Sequence, residues 1–342
     1  MKITNRIYFY QGLQGGVRSW SNTIVIKGEK TILIDPGSNI EYHLADLVRA
    51  MVEDEIDVSK IDEIWLTHGH PDHAEAAEVL SRRYKIDKVR CHYFVGEILG
   101  GPEVMKKFLI YINTKIVKGK KTAKKPFFWR KIGLKLFVIA PWIALRIAVF
   151  VTERIWGKWL PVSKLEVFDE EETIKINPDV QIIFLPGHAP DEIGFWIEDE
   201  KALIIGDLIN IGHNRETIPA LVSPQGNFGD ALSSVKKMSN LPVEILIPAH
   251  GFVLREKQII QALFRKLITR MERHQEMVKK LVKENPRLKY NLDELSRRVL
   301  SDLPIIVSNA EKKQYLASIC ENLGYYGNGN GHNGQKNGKK SQ

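Results

Sequence analysis

Thr67-His68-Gly69-His70-Pro71-Asp72-His73 packs three imidazoles and a carboxylate into six consecutive positions. Nitrogen and oxygen donors of this kind are what zinc and similar divalent ions take as ligands, and few structural roles call for so dense a set. The preceding run, Asp62-Glu63-Ile64-Trp65-Leu66, reads as a strand, and Ala74 to Tyr84 reads as a helix, so the cluster sits at a strand end. In extended backbone, residues two apart face the same way, which lets His68 and His70 share one ion. Asp72 and His73, at the turn into the helix, can face a second.

The rest of the chain supplies a frame for such a cluster. At 342 residues it is long enough for one large domain with additions. Ile24-Val25-Ile26 and Thr31-Ile32-Leu33-Ile34, separated by a Gly28 turn and ended by Asp35-Pro36-Gly37, read as antiparallel strands. A helix is expected from about Leu44 to Glu53 and a strand over Lys88 to Tyr93. Further strands are expected at Val180 to Leu185, Gly194 to Ile197, Ala202 to Ile205 and Glu244 to Ile247, with a helix through Asp230 to Met238. From Glu256 onward Ile259, Ile260, Leu263, Leu267 and Met271 recur at helical spacing. Gly327 to Gln342 has no apolar residue to bury and reads as a disordered tail. Cys91 and Cys320 form no C-x-x-C pair and read as buried, inert thiols of a reducing compartment.

The motif His68-x-His70-x-Asp72-His73 resembles the first metal motif of the metallo-β-lactamase superfamily. The later motifs follow in order: Leu185-Pro186-Gly187-His188, Gly206-Asp207 and Pro248-Ala249-His250-Gly251. Asn22 to Ile26 and Ile34-Asp35-Pro36-Gly37 are similar to its opening hairpin. The resemblance covers roughly residues 1–93 and 165–255 and implies an αββα four-layer sandwich with the site at one edge. It also implies that His68, His70 and His188 hold one metal and Asp72, His73 and His250 the other, with Asp207 bridging. Two zinc ions are the expected cofactors, with iron or manganese as alternatives. Cations sharing a water lower its pKa toward neutrality, and Asp72 is the candidate catalytic residue, orienting that nucleophile and assisting proton transfer.

After His188 the chain departs from the small, hydroxyl-bearing turn of many relatives and reads Ala189-Pro190-Asp191-Glu192. Asp191 and Glu192 could add charge near the site, but plain turn roles are the favoured expectation. His43, His92 and His274 have no motif around them and read as structural. His213, six residues after Asp207, could reach a substrate, and His332 lies in the tail.

Residues 94–164 form a basic, apolar insert. From Lys106 to Lys164 there are 15 Lys or Arg against one acid, so this segment carries +14 and the remainder of a chain with net charge +9 carries −5. Within it Ile132 to Thr152 is nearly free of charge, with Trp129, Trp142, Trp156 and Trp159 in or beside it. Flanking bases and edge tryptophans are expected of a segment at a bilayer surface. A single span would separate His68 to His73 from His188 and His250. An interfacial helix or shallow re-entrant hairpin, or alternatively a lid or dimer-forming helix pair, satisfies the pattern. Residues 256–326 are a helical C-terminal addition.

The sequence therefore predicts a metal-dependent hydrolase of an ester, thioester or lactone bond, with a small or lipid-like substrate. The N-terminus lacks an apolar leader pattern, so the expectation is cytoplasmic, with the 120–160 stretch open to peripheral contact with the inner membrane face. A phosphodiesterase or nuclease is the main rival, although bases interleaved with apolar residues make a poor nucleic-acid groove. A mononuclear iron sulfur dioxygenase would leave Asp72 and His250 unused, and a non-catalytic membrane adaptor would leave the whole ligand set unused.

Overall fold

Strict alternation along the strands sorts apolar side chains into layers. In β1 (Ile7–Tyr10), β2 (Thr23–Lys27) and β3 (Thr31–Ile34), one face carries Ile7, Phe9, Ile24, Ile26, Ile32 and Ile34. The opposite face carries Tyr8, Tyr10, Val25 and Leu33. With both faces apolar, these strands are buried on both sides. The structure, a computed structural model, describes residues 1–12, 20–92, 160–168, 172–212, 218–221, 226–303, 307 and 309–326.

The first sheet has the order β1-β2-β3-β4-β5-β6, completed by β4 (Glu63–Trp65), β5 (Lys88–Cys91) and β6 (Leu165–Val167). β1, β2 and β3 pair antiparallel, as expected for the opening hairpin, whereas β3 through β6 run parallel. The second sheet contains β7 (Thr173–Lys175), β8 (Asp179–Phe184), β9 (Ile193–Ile197), β10 (Ala202–Ile205), β11 (Ile245–Pro248) and β12 (Leu254–Arg255) in the order β12-β11-β10-β9-β8-β7. Only β10 and β11 are parallel within it.

The inner faces of the two sheets meet around Trp65, which contacts Phe168 and Phe195 with ring centroids 5.4 Å away in each case. Its indole N–H is satisfied by Glu63 Oε2 at 2.9 Å, so the largest inner side chain is buried without an orphan donor. The outer face of the first sheet packs on α1 (Glu41–Glu53) and α3 (Ala76–Tyr84), through Leu44, Leu47, Met51, Ala77 and Leu80. A short helix, α2 (Pro71–Ala74), precedes α3 and contains Asp72 and His73.

The outer face of the second sheet shares one apolar cluster with α4 (Phe228–Ser239), α5 (Lys257–Glu284), α6 (Leu292–Val299) and α7 (Asn309–Asn322), with α5 against β11 and β12 and α6 and α7 packed on the other helices. Leu203, Ile205 and Leu246 of the sheet share one cluster with Phe264, Met271, Leu295 and Leu316 of these helices. The architecture is thus the αββα sandwich. The C-terminal helices are built into its outer layer.

The insert, 94–164, lies outside the described residues except for 160–164, and the tail lies outside them entirely. Where the chain re-enters, Ser163 donates its N–H and hydroxyl to the buried Glu78 of α3, at 2.8 and 3.0 Å, which fixes the approach to β6. Among the described residues no helix is long and apolar enough to cross a membrane. The apolar run Ile132 to Thr152, to which the sequence assigns membrane contact, is not among them.

Cys91 and Cys320 are both free and buried, as expected. The three histidines without motifs are structural as well. His43 meets the Ser38 carbonyl at 3.1 Å, and His274 lies between Tyr315 and Asp302. His92 stacks on Phe184 with ring centroids 4.9 Å apart, and burial lowers its pKa to about 4.

In the unfolded chain that ring titrates near its ordinary value of about 6.5. Between that value and about 4 the unfolded state binds a proton that the folded state refuses. Stability is therefore lost as pH falls through this window, by about 2 kcal/mol at pH 5. In His92→Phe the drop in melting temperature between pH 7 and pH 5 should be smaller than in the wild type, measured by thermal unfolding followed by circular dichroism.

Candidate metal centre

Every side chain of the centre comes from the end of a strand or the turn just beyond it. β3 and β4 are parallel neighbours, so Asp35 and Thr67 leave the sheet side by side. Asp35 Oδ1 accepts the Thr67 N–H at 2.8 Å and its Oδ2 accepts the Thr67 hydroxyl at 2.6 Å. The same Oδ2 lies 2.9 Å from His73 Nδ1, which turns His73 Nε2 inward. Asp35 holds a left-handed backbone, φ 48°, a conformation that costs a non-glycine residue about 1 kcal/mol or more. Hydrogen bonds from Thr23 Oγ1 to its carbonyl, and from its N–H to the Trp65 carbonyl, offset this.

His70 is the N-cap of α2 with an extended backbone, and Pro71 at the first helical position enforces that geometry. His68 and His70 therefore point to one side, while Asp72 and His73 enter the first helical turn. In the second sheet, His188 follows β8, Asp207 follows β10 and His250 follows β11. Because β10 and β11 are parallel, Asp207 and His250 emerge together. His188 is oriented by donation from Nδ1 to the Ala220 carbonyl at 2.6 Å.

Two backbone features hold the His250 loop. Asn22, fully buried on β2's approach, donates its side-chain amide to the carbonyls of Pro248 at 2.9 Å and Gly251 at 3.1 Å, while its own N–H reaches Ala249. Gly251 has φ +95°, and a Cβ there would sit 1.9 Å from the Ile211 carbonyl oxygen, so only glycine fits.

The seven expected residues converge as two groups. Ligand atoms of His68, His70, His188 and Asp207 lie within 4.8 Å of one another, as do those of Asp72, His73, Asp207 and His250. His70 Nδ1 lies 2.9 Å from Nε2 of both His68 and His188. Asp207 belongs to both groups through different oxygens. Its Oδ2 is 3.5 Å from His188 Nε2, and its Oδ1 is 3.4 Å from both His73 Nε2 and His250 Nε2. Asp72 Oδ2 faces His250 Nε2 at 3.3 Å.

The electrostatics differ between the groups. Burial, reinforced by neighbouring imidazoles, lowers the pKa of His68 well below its ordinary value, and burial takes His188 to about 4. Both rings are therefore neutral and present lone pairs. Burial also opposes charge on His73 and His250, but Asp207 and Asp72 outweigh it and raise both pKa values. Burial pushes the Asp207 carboxyl up, and His250, His73 and His188 overcome this to hold it well below the usual range.

This donor set fits divalent metal ions. His73 Nε2 and Asp207 Oδ1 are buried and make no hydrogen bond within the protein, and both point at the shared centre. Buried imidazole and carboxylate donors converging on one space are the set that divalent cations take as ligands.

Two carboxylates that the sequence assigns to plain turn roles are part of the frame. Asp191 and Glu192 are fully buried, and burial raises the pKa of each. Their partners are backbone N–H groups distant in sequence, which no local pattern reveals. His213 lies outside the described residues.

A family model described as the metallo-beta-lactamase superfamily matches residues 18–250, and the chain belongs to that superfamily. It is 23% identical over 272 residues to the curated "Probable metallo-hydrolase YqjP" of Bacillus subtilis (strain 168), covering 77% of this chain and 76% of that one. A metallo-beta-lactamase family protein from Thermus thermophilus has a similar solved structure, with a TM-score of 0.62 at 15% identity, covering 94% of each chain. Rubredoxin oxygen:oxidoreductase from Desulfovibrio gigas also shares the fold, at a TM-score of 0.52 and 13% identity, covering 93% of this chain and 75% of that chain. Members of this superfamily are mostly metal-dependent hydrolases, and the chain carries a His/Asp cluster able to bind metal.

Protein saturated with zinc and desalted should retain about two ions per chain, measured by elemental analysis. His70→Ala should retain about one. Asp207→Ala, which removes a donor from both groups, should fall below one.

Proposed function

We propose that the protein is a dinuclear metal-dependent hydrolase of an ester, thioester or lactone bond. His68, His70 and His188 would hold one cation and Asp72, His73 and His250 the other, with Asp207 offering an oxygen to each group. The observation that carries this reading is the division of Asp207, one oxygen toward His188 and the other toward His73 and His250. Two divalent cations would supply Lewis-acid polarisation of a substrate oxygen and a water acidic enough to attack at neutral pH.

The chain's own groups do the rest. His68 and His188, kept neutral by burial, offer nitrogen lone pairs rather than protons. Asp35 and the Ala220 carbonyl fix which nitrogen His73 and His188 present. Asp72 is the more accessible of the two central carboxylates, with 19% of its side chain exposed against 9% for Asp207. Burial opposes its ionisation, yet His73 and His250 hold its pKa below the usual value, so it is an anion able to orient a nucleophile by accepting its hydrogen bond.

The choice of an acyl substrate rests on the insert. A strongly basic stretch around the apolar run Ile132 to Thr152 suits a lipid-like substrate met at an anionic membrane surface, and peripheral contact through 120–160 belongs to the same proposal. A single-iron oxygenase accounts less well for the site, because one ion leaves the second group, with Asp72 and His250, without a metal to hold.

The test is a panel of short and long acyl esters, thioesters, lactones and a phosphodiester, assayed with zinc-loaded protein with and without anionic liposomes. Long-chain acyl cleavage that rises with liposomes and falls at least ~100-fold in His70→Ala is expected, in keeping with the loss of a metal-activated nucleophile. Phosphodiester cleavage alone would replace this reading with the nuclease one.

A further inference from the structure

Asp191 and Glu192 are consecutive, buried to 2% and 0% exposure, and each reaches into a different ligand-bearing loop. Asp191 Oδ2 accepts the N–H of Gly69 at 2.9 Å. Gly69 is the residue between His68 and His70, and its peptide N–H is buried, so without this carboxylate the donor would be left unpaired. Glu192 Oε1 accepts the N–H of Leu208, directly after Asp207, at 2.7 Å. The fit is close enough that a Cβ on Gly206 would lie 2.7 Å from the same oxygen.

Both acids sit in the turn that begins with His188. Gly187 N–H reaches the Ala189 carbonyl, and Leu185 N–H reaches the Glu192 carbonyl, so this turn is braced against itself. The next residue, Ile193, donates its N–H to the Thr67 carbonyl at 2.9 Å, a second tie to the strand end that carries His68.

We propose that Asp191 and Glu192 are positioning residues that lock His68, His70, His188 and Asp207 into one geometry. They do so by hydrogen-bonding the backbones of the 68–70 and 207 loops from the 188 turn. Hydrogen bonds of 2.9 and 2.7 Å from buried amides to a carboxyl oxygen are directional, which suits a clamp on backbone rather than on the ligand side chains. The second group is braced differently: Asp35 orients His73, and Asn22 holds the His250 loop. The Asp191 arm of the clamp therefore acts on the first group selectively, whereas the Glu192 arm reaches both groups through the shared Asp207.

This inference rests on the dinuclear reading. The experiment is stepwise chelator competition and cobalt(II) absorption on the full-length protein, comparing wild type, Asp191→Asn, Asp191→Leu, Glu192→Gln and Glu192→Leu. Asp191→Leu should lose about 10- to 100-fold in affinity at one of two sites, as outer-shell changes do, and leave the other within threefold, whereas Glu192→Leu should weaken both. The amide variants, which keep an acceptor oxygen, should recover most of the loss and restore the cobalt spectrum.

Equal weakening of both sites in Asp191→Leu, or leucine variants that match wild type, would overturn the clamp. If the leucine variants do not fold, amide hydrogen exchange of the metal-free wild type decides. Slow exchange at Gly69 and Leu208 is expected, and exchange at open-chain rates would overturn the proposal. A wild type that binds no metal would instead strike the dinuclear reading itself.

Discussion

Nε2 of His68 and Nε2 of His188 both lie 2.9 Å from Nδ1 of His70, and behind them Asp207, Asp72, His73 and His250 close the same small space. His68 and His188, held neutral by burial, crowd their lone pairs onto this space. Buried carboxylates beside them are costly to leave without a positive partner. Divalent cations satisfy such a donor set, and much of the surrounding structure serves to keep the donors close.

The fold does this by bringing strand ends together. Parallel pairing of β3 with β4 sets Asp35 beside Thr67, and parallel pairing of β10 with β11 sets Asp207 beside His250. Between the sheets, a core built on Trp65, Phe168 and Phe195 fixes the separation of the two halves. Across that gap run a few polar ties: Asn22 to the Pro248 and Gly251 carbonyls, Asp191 to Gly69, and Ile193 to Thr67. Apolar packing brings the halves together, and these hydrogen bonds set their register to the accuracy that metal ligation needs.

The cluster from His68 to His73 was legible in the sequence because its donors recur at short spacing, whereas His188, Asp207 and His250, single donors in separate motifs, entered only through the resemblance to the metallo-β-lactamase superfamily. The central strands were legible too, since Ile24 to Ile26, Thr31 to Ile34 and Ala202 to Ile205 are apolar on both faces. β6, β7 and β12 were not, being two or three residues long and partly exposed, which leaves no period to read. Asp191 and Glu192 look like turn residues in sequence, as acids after a proline usually are. Their partners, Gly69 and Leu208, are backbone amides 122 and 16 positions away, and such pairings leave no compositional trace. The helical periodicity after Glu256 announced α5 but not that it shares a core with β10 and β11, because an apolar stripe does not say what it packs against.

Electron paramagnetic resonance of the manganese(II)-loaded protein addresses the shared role of Asp207 most directly. Two ions bridged by one carboxylate and about 3.5–4 Å apart are exchange-coupled. The account predicts a coupled dinuclear spectrum in the wild type that disappears in Asp207→Ala. A spectrum of isolated manganese in the wild type, at one or two equivalents, would contradict it.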